Sequence, residues 1–210
     1  MQKYITEFIG TFFLVLVVAL TGNAAAIAAT LMVMVFAGGH ISGAHYNPAV
    51  TLAILIRGKV SLQDAVVYII VQVLAAAVAA LLARWYLGDM NTVPMDLTGK
   101  VLKVFVSELI GTFALAYVVL NVATSKGTTG NSFYGLAIGF TVFAMAAAFG
   151  SISGGAFNPA VAVGVTIIEA FALKNIWIYL VACFGGGILA ALVFNFINQE
   201  DKPVPPLPQA

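Results

Sequence analysis

His40-Ile41-Ser42-Gly43-Ala44-His45-Tyr46-Asn47-Pro48-Ala49-Val50 returns, 111 residues further on, as Ser151-Ile152-Ser153-Gly154-Gly155-Ala156-Phe157-Asn158-Pro159-Ala160-Val161, with seven identities in eleven positions. A match of this kind inside one chain marks an internal repeat. A second pair, Glu7-Phe8-Ile9-Gly10-Thr11-Phe12 and Glu108-Leu109-Ile110-Gly111-Thr112-Phe113, recurs at an offset of 101. The offsets differ by ten residues, so the second copy is longer between its landmarks. The polar stretch Thr124 to Ser132 is the natural home for that length, because the first copy has only Thr21-Gly22-Asn23 at the matching place.

The chain is 62% hydrophobic and 8% charged over 210 residues, far more apolar than a soluble core of that size requires. Lipid is the solvent this composition fits. A bilayer core of about 30 Å takes about 20 apolar residues per helix. Three such spans are read in each copy, at 4–22, 24–40 and 64–87, then at 101–122, 133–150 and 174–197. An odd number per copy places the two copies in opposite orientations, an inverted repeat with a solute path expected between them. Met1 to Thr21 reads as a retained first span rather than a removed leader.

Two apolar pieces, Pro48 to Ile56 and Pro159 to Ile168, are too short to cross. As helices they would rise roughly 13 to 15 Å each. They are expected to be re-entrant half-helices that meet near the midplane, with Ser42-Gly43 and Ser153-Gly154 supplying irregular backbone, tolerated there only beside protein or a watery cavity. The predicted fold class is thus all-α, with six transmembrane helices and two half-helices. A single domain is expected over 1–198 (repeat one about 1–88, repeat two about 101–198), followed by a mobile, proline-rich tail at 199–210 with four of the seven prolines.

Each short piece begins Asn-Pro-Ala, a combination suited to a helix start: Asn as N-cap, Pro at the first helical position. If the side-chain oxygens of Asn47 and Asn158 cap backbone N–H groups, their amide NH2 groups remain as donors for the lumen. The half-helix N-termini add positive potential that disfavours cations and leaves neutral molecules unaffected. Pro48 and Pro159 fix the first turns, and Ala49 and Ala160 let the helix ends abut. Glu7 and Glu108 are ionisable groups inside apolar spans, where a carboxylate facing the bundle can accept from unpaired loop N–H groups.

Ser-Gly-x-x-x-Asn-Pro-Ala in each half, with Glu-x-x-Gly-Thr-Phe in the helix before it, resembles the aquaporin family (major intrinsic proteins) over nearly the whole chain. The resemblance implies a passive channel for water and small uncharged solutes, no catalysis, no cofactor, and a homotetramer with one pore per subunit. It implies loop-supporting roles for Glu7 and Glu108, and a pore-lining loop that includes Gly43, His45, Gly154 and Ala156. His45 would lie near the cytoplasmic mouth, and His40 would pack within the loop.

Most such channels carry an arginine directly after the second Asn-Pro-Ala, at the narrowest part of the pore. Here that position is Val161, and a gapless count along the motifs places the other filter positions at Ile27, Ala146 and Gly155. All four are apolar, so a wide aperture is expected, with the carbonyls of Gly154, Gly155 and Ala156 as acceptors. Urea, ammonia, glycerol, hydrogen peroxide and metalloid hydroxides are the candidate solutes besides water. The glycerol branch usually has an aspartate after that arginine, and Ala162 does not match it.

Other readings stand beside this one. An ion-coupled secondary transporter shares broken helices and inverted repeats but needs a titratable group at its site, and the candidate lining has no carboxylate. A strictly water-selective channel and a junction-forming structural protein are the others. Cys183, the only cysteine, excludes disulfides and paired-cysteine metal sites, and two histidines without partners suggest no metal. The net charge of +1 points to no nucleic-acid partner, leaving the lipid bilayer and a second copy of the chain. Localisation is expected in a prokaryotic inner membrane with both termini cytoplasmic, although five basic residues inside against four outside decide little.

Overall fold

The computed structural model describes residues 1–88 and 92–198. The proline-rich tail expected at 199–210 lies outside the described residues. The described residues form six long helices and two short ones: α1 (Gln2–Thr21), α2 (Ala24–Ser42), α3 (Pro48–Ile56), α4 (Leu62–Leu87), α5 (Val101–Thr124), α6 (Tyr134–Ser153), α7 (Pro159–Ile167) and α8 (Ile176–Ile197). The six long ones are apolar and long enough to span a membrane, and α3 and α7 are not. The half-helices thus fall where expected, while α2 and α6 run two or three residues beyond their predicted ends. Their added turns, Ile41-Ser42 and Ser151-Ile152-Ser153, end at the left-handed residues Gly43 and Gly154, so a residue that can adopt positive φ sets the stop.

Burial runs opposite to that of a soluble protein. Glu7, Gln72, Thr51 and Glu108 have no exposed surface, whereas Ile70, Leu74, Val78, Leu81 and Trp85 form an exposed stripe along one face of α4. The steps of three and four residues put that stripe on a single helical face, as apolar as lipid tails require. Helix α1 repeats the pattern with Ile5, Ile9 and Phe13 outward and Glu7, Thr11, Leu14 and Val15 inward.

Packing follows the repeat. Helix α1 lies on α4 as α5 lies on α8, and α2 meets α6 across the pseudo-symmetry axis. Each half-helix packs on the last span of the opposite copy: α3 on α8, and α7 on α4. Small residues permit this approach. A Cβ on Gly187 would stand 2.6 Å from the Ala49 carbonyl oxygen, and one on Gly164 would stand 2.5 Å from Val15. The longer α5–α6 connection holds the 3₁₀ turn Lys126–Thr128, and Asn131 Nδ2 donates to Val122 O at 2.8 Å, closing the end of α5.

Candidate functional site

The two loops that lead into the half-helices have one backbone shape. Gly43 and Gly154 have φ of 86° and 89°, Ala44 and Gly155 have 52° and 67°, and Tyr46 and Phe157 have 48° and 47°. Left-handed backbone at bulky aromatic residues is strained and persists only when surrounding contacts hold it. Those contacts are two buried carboxylates. Glu7 Oε1 accepts from Ser42 Oγ at 2.7 Å and His45 N at 2.9 Å, and its Oε2 accepts from Tyr46 N at 2.7 Å. Glu108 accepts from Ser153 Oγ at 2.7 Å, Ala156 N at 3.0 Å and Phe157 N at 2.7 Å. The N–H groups of His45, Tyr46, Ala156 and Phe157 thereby find acceptors at membrane depth.

One turn beyond each carboxylate stands a glycine whose missing side chain makes room for the strained ring. A Cβ on Gly10 would lie 2.2 Å from the Tyr46 ring, and one on Gly111 would lie 2.2 Å from the Phe157 ring. The Glu-x-x-Gly spacing is therefore one device: the acid binds the loop's N–H groups and the glycine admits its aromatic. A tyrosine from the last span of each copy completes the support, with Tyr68 donating to Ser42 O and Tyr179 to Ser153 O, both at 2.8 Å.

The half-helices begin at the capping asparagines. Asn47 Oδ1 accepts from Ala49 N at 2.8 Å, and Asn158 Oδ1 from Ala160 N at 2.9 Å. Each amide also reaches across to the other loop: Asn47 Nδ2 donates to Phe157 O and Asn158 Nδ2 to Tyr46 O, both at 2.9 Å. These reciprocal bonds lock the copies together and correct the expectation that both amide hydrogens are free. One hydrogen of each NH2 is committed, leaving one as a donor.

A narrow cavity of ≈ 30 Å³ runs past these groups, about the room that one or two water molecules need. Asn47 and Asn158 line it, as do Ile27, Gly155 and Val161 from the predicted filter and His45 and Ala156 from the loops. Ala146 lies outside this lining. Helix α6 contributes Val142 and Ile138 instead, which share Ala146's stripe one and two turns back. Of the remaining loop residues, Gly43 borders a wider vestibule on the side of the termini. Gly154 borders neither space, and its bare Cα makes room for the Phe171 ring.

Besides the filter residues, Leu14, Val18, Leu31, Val50, Leu115 and Val119 wall the enclosed stretch. His40 is exposed at the vestibule rather than packed within the loop. Sequence reading missed Gln72, Thr51, Tyr68 and Tyr179. The two tyrosines stand 111 residues apart, the offset of the Asn-Pro-Ala motifs, and that was the available signal.

An inverted repeat of six spans with two half-helix N-termini facing one narrow path defines a membrane channel. The chain belongs to the major intrinsic protein family, which residues 1–194 match, and is a multi-pass membrane channel for water and small solutes rather than an enzyme. It is 36% identical to Aquaporin NIP1-1 of Arabidopsis thaliana, a match covering 97% of this chain and 76% of the relative. It is 35% identical to the Glycerol uptake facilitator protein-like 6 of Lactiplantibacillus plantarum, over 96% of this chain and all of that protein. In fold it is similar to the X-ray structure of the aquaglyceroporin from Plasmodium falciparum, with a TM-score of 0.75 and 22% identity over 91% of this chain and 96% of that one.

Proposed function

We propose that the narrow cavity is the conducting path and that it carries small neutral solutes, glycerol and urea among them, as well as water. The observation that carries this reading is the lining itself: among the described residues it holds no Asp, Glu, Lys or Arg, and Val161 stands where the family resemblance would put an arginine. Without a fixed cation, the polar groups along the path are the free asparagine hydrogens, the His45 imidazole and the loop carbonyls, and the half-helix N-termini repel cations. Ile27, Gly155 and Val161 set the selectivity together with Ala146 at the mouth. Glycerol as a solute agrees with the name of the bacterial relative. Each subunit holds its own path within a homotetramer, in a prokaryotic inner membrane with both termini cytoplasmic.

Stopped-flow light scattering on proteoliposomes tests the reading. Fast, non-saturating flux of water, urea and glycerol, independent of ions, is expected. Val161→Arg places a long cation beside the Gly155 backbone and should lower the urea-to-water permeability ratio on the order of tenfold, equivalent to about 1.4 kcal/mol on the crossing barrier. A wild type that excludes every solute larger than water, or a ratio unchanged in the variant, removes Val161 from the filter.

A further inference from the structure

We propose that a buried relay from Glu7 holds His45 as its Nδ1–H tautomer, so that the Nε2 lone pair faces the path and makes His45 a specificity-determining acceptor for solutes bearing N–H or O–H groups. The proposal rests on the reading of the narrow cavity as the conducting path. The relay starts at the carboxylate. Glu7 already accepts from Ser42 and two loop N–H groups, and its fourth donor is Gln72 Nε2 at 2.8 Å. A carboxylate can only accept here, so the orientation of the Gln72 amide is fixed. The second hydrogen of Gln72 Nε2 then points to Thr51 Oγ1 at 3.0 Å.

Thr51 Oγ1 has one hydrogen, and Asn47 O lies 3.0 Å from it across one helical turn. Gln72 Oε1, at 3.5 Å, is a poorer acceptor for it. With that hydrogen directed to Asn47 O and one lone pair taken by Gln72, Thr51 Oγ1 offers its remaining lone pair to His45 Nδ1 at 3.1 Å. An Nδ1–H on His45 satisfies all three bonds. The opposite tautomer would draw the Thr51 hydrogen away from Asn47 O and lose one of them.

His45 Nε2 makes no hydrogen bond to a described residue, yet it is not among the buried side-chain atoms left without a partner. It therefore reaches open space, in a residue that lines the narrow cavity and keeps 6% of its surface exposed. The second copy has no counterpart: the residues 111 further on from His45, Thr51 and Gln72 are Ala156, Ala162 and Cys183. An imidazole acceptor thus lines the path only on the side of the termini. A solute there hands a hydrogen to Nε2, then meets the donor hydrogens of Asn47 and Asn158.

The test uses the full-length channel in lipid bilayers, labelled with ¹⁵N-histidine, in a His40→Gln background so that His45 is the one histidine observed. Solid-state NMR near neutral pH should show a protonated Nδ1 and a bare Nε2; an Nε2–H signal or an even mixture overturns the relay. Thr51→Val removes the acceptor for Nδ1–H, and the Nε2–H form should then dominate, with a urea-to-water permeability ratio about fivefold lower. Thr51→Ser keeps the hydroxyl and should restore both readouts. A Thr51→Val channel with the wild-type tautomer or the wild-type ratio refutes the proposal. A wild type with the Nδ1–H form but no flux of water or urea refutes the path reading and the selectivity role with it, whereas the wrong tautomer in a conducting channel refutes the relay alone.

Discussion

The two re-entrant loops share a backbone but not a support. On the first, Glu7 is backed by Gln72, Thr51 and His45 in a connected polar network. On the second, beyond the serine and loop N–H groups common to both, Glu108 has the Cys183 thiol beside it, with Sγ 3.7 Å from Oε2. The φ angles at the strained aromatics nonetheless agree within a degree, and the reciprocal asparagine bonds are equal at 2.9 Å. The loop geometry is therefore set by what the copies have in common: the carboxylate, the serine, the glycine one turn on and the tyrosine of the last span. What differs is free to serve another end, and in the first copy it faces the path.

Neutralising the carboxylates should separate the two halves most. Glu108→Gln sets an amide NH2 against the Phe157 N–H, and the thiol is a weak acceptor for the hydrogens so introduced. Leaving a buried donor unpaired in this way should destabilise the channel by about 3 kcal/mol. In Glu7→Gln, by contrast, Gln72 can turn its amide and present Oε1 to the new NH2, which limits the loss to roughly 1–2 kcal/mol. Thermal unfolding of the detergent-solubilised protein, with the yield of monodisperse channel, measures both. Equal losses, or a greater loss for Glu7→Gln, would show that the Gln72 network does not buffer its half.

Glycine one turn from each acid gives the next contrast. Gly111→Ala drives a methyl into the Phe157 ring, and overpacking of this kind costs about 1–3 kcal/mol. Gly10→Ala meets the Tyr46 ring at the same 2.2 Å, but that ring is also tethered through its hydroxyl to Met34 O at 3.0 Å. Shifting it strains one more hydrogen bond, so Gly10→Ala should be the worse of the pair by about 1 kcal/mol. The same melting experiment decides it, and a reversed order would mean that the tether yields freely.

Much of this was legible in the sequence, for a reason peculiar to membranes. Apolar runs of fixed length read out spans directly, and a repeated motif exposes its own symmetry, so α3 starts and ends where the Pro48 to Ile56 reading put it. Glu7 and Glu108 stood out because an acid in an apolar helix needs a reason. Gln72 and Tyr68 did not, because their partners Glu7 and Ser42 lie 65 and 26 residues away, and no local pattern announces a contact that the tertiary fold creates. Ala146 shows a complementary limit. A gapless count finds the right stripe of α6 yet cannot tell at which turn the bundle closes around the path, since that depends on bulky side chains from other helices.

The smallest expected effect is the sharpest test of what the shared core alone can carry. Cys183→Ser replaces a thiol that makes one long contact to Glu108, while Ser153 and two loop N–H groups continue to bond the carboxylate. The serine hydroxyl is a better donor, but its shorter C–O bond sets it further from Oε2 unless the helix shifts, and its burial is less favourable than that of the thiol. The two tendencies oppose, and the net change should stay within about 1 kcal/mol of zero. Water flux should be unaltered, since Cys183 is fully buried and absent from the lining of the path. A loss as large as that of Glu108→Gln would mean that the thiol is a full member of the support, and that the second carboxylate, like the first, depends on a partner from the last span of its own copy.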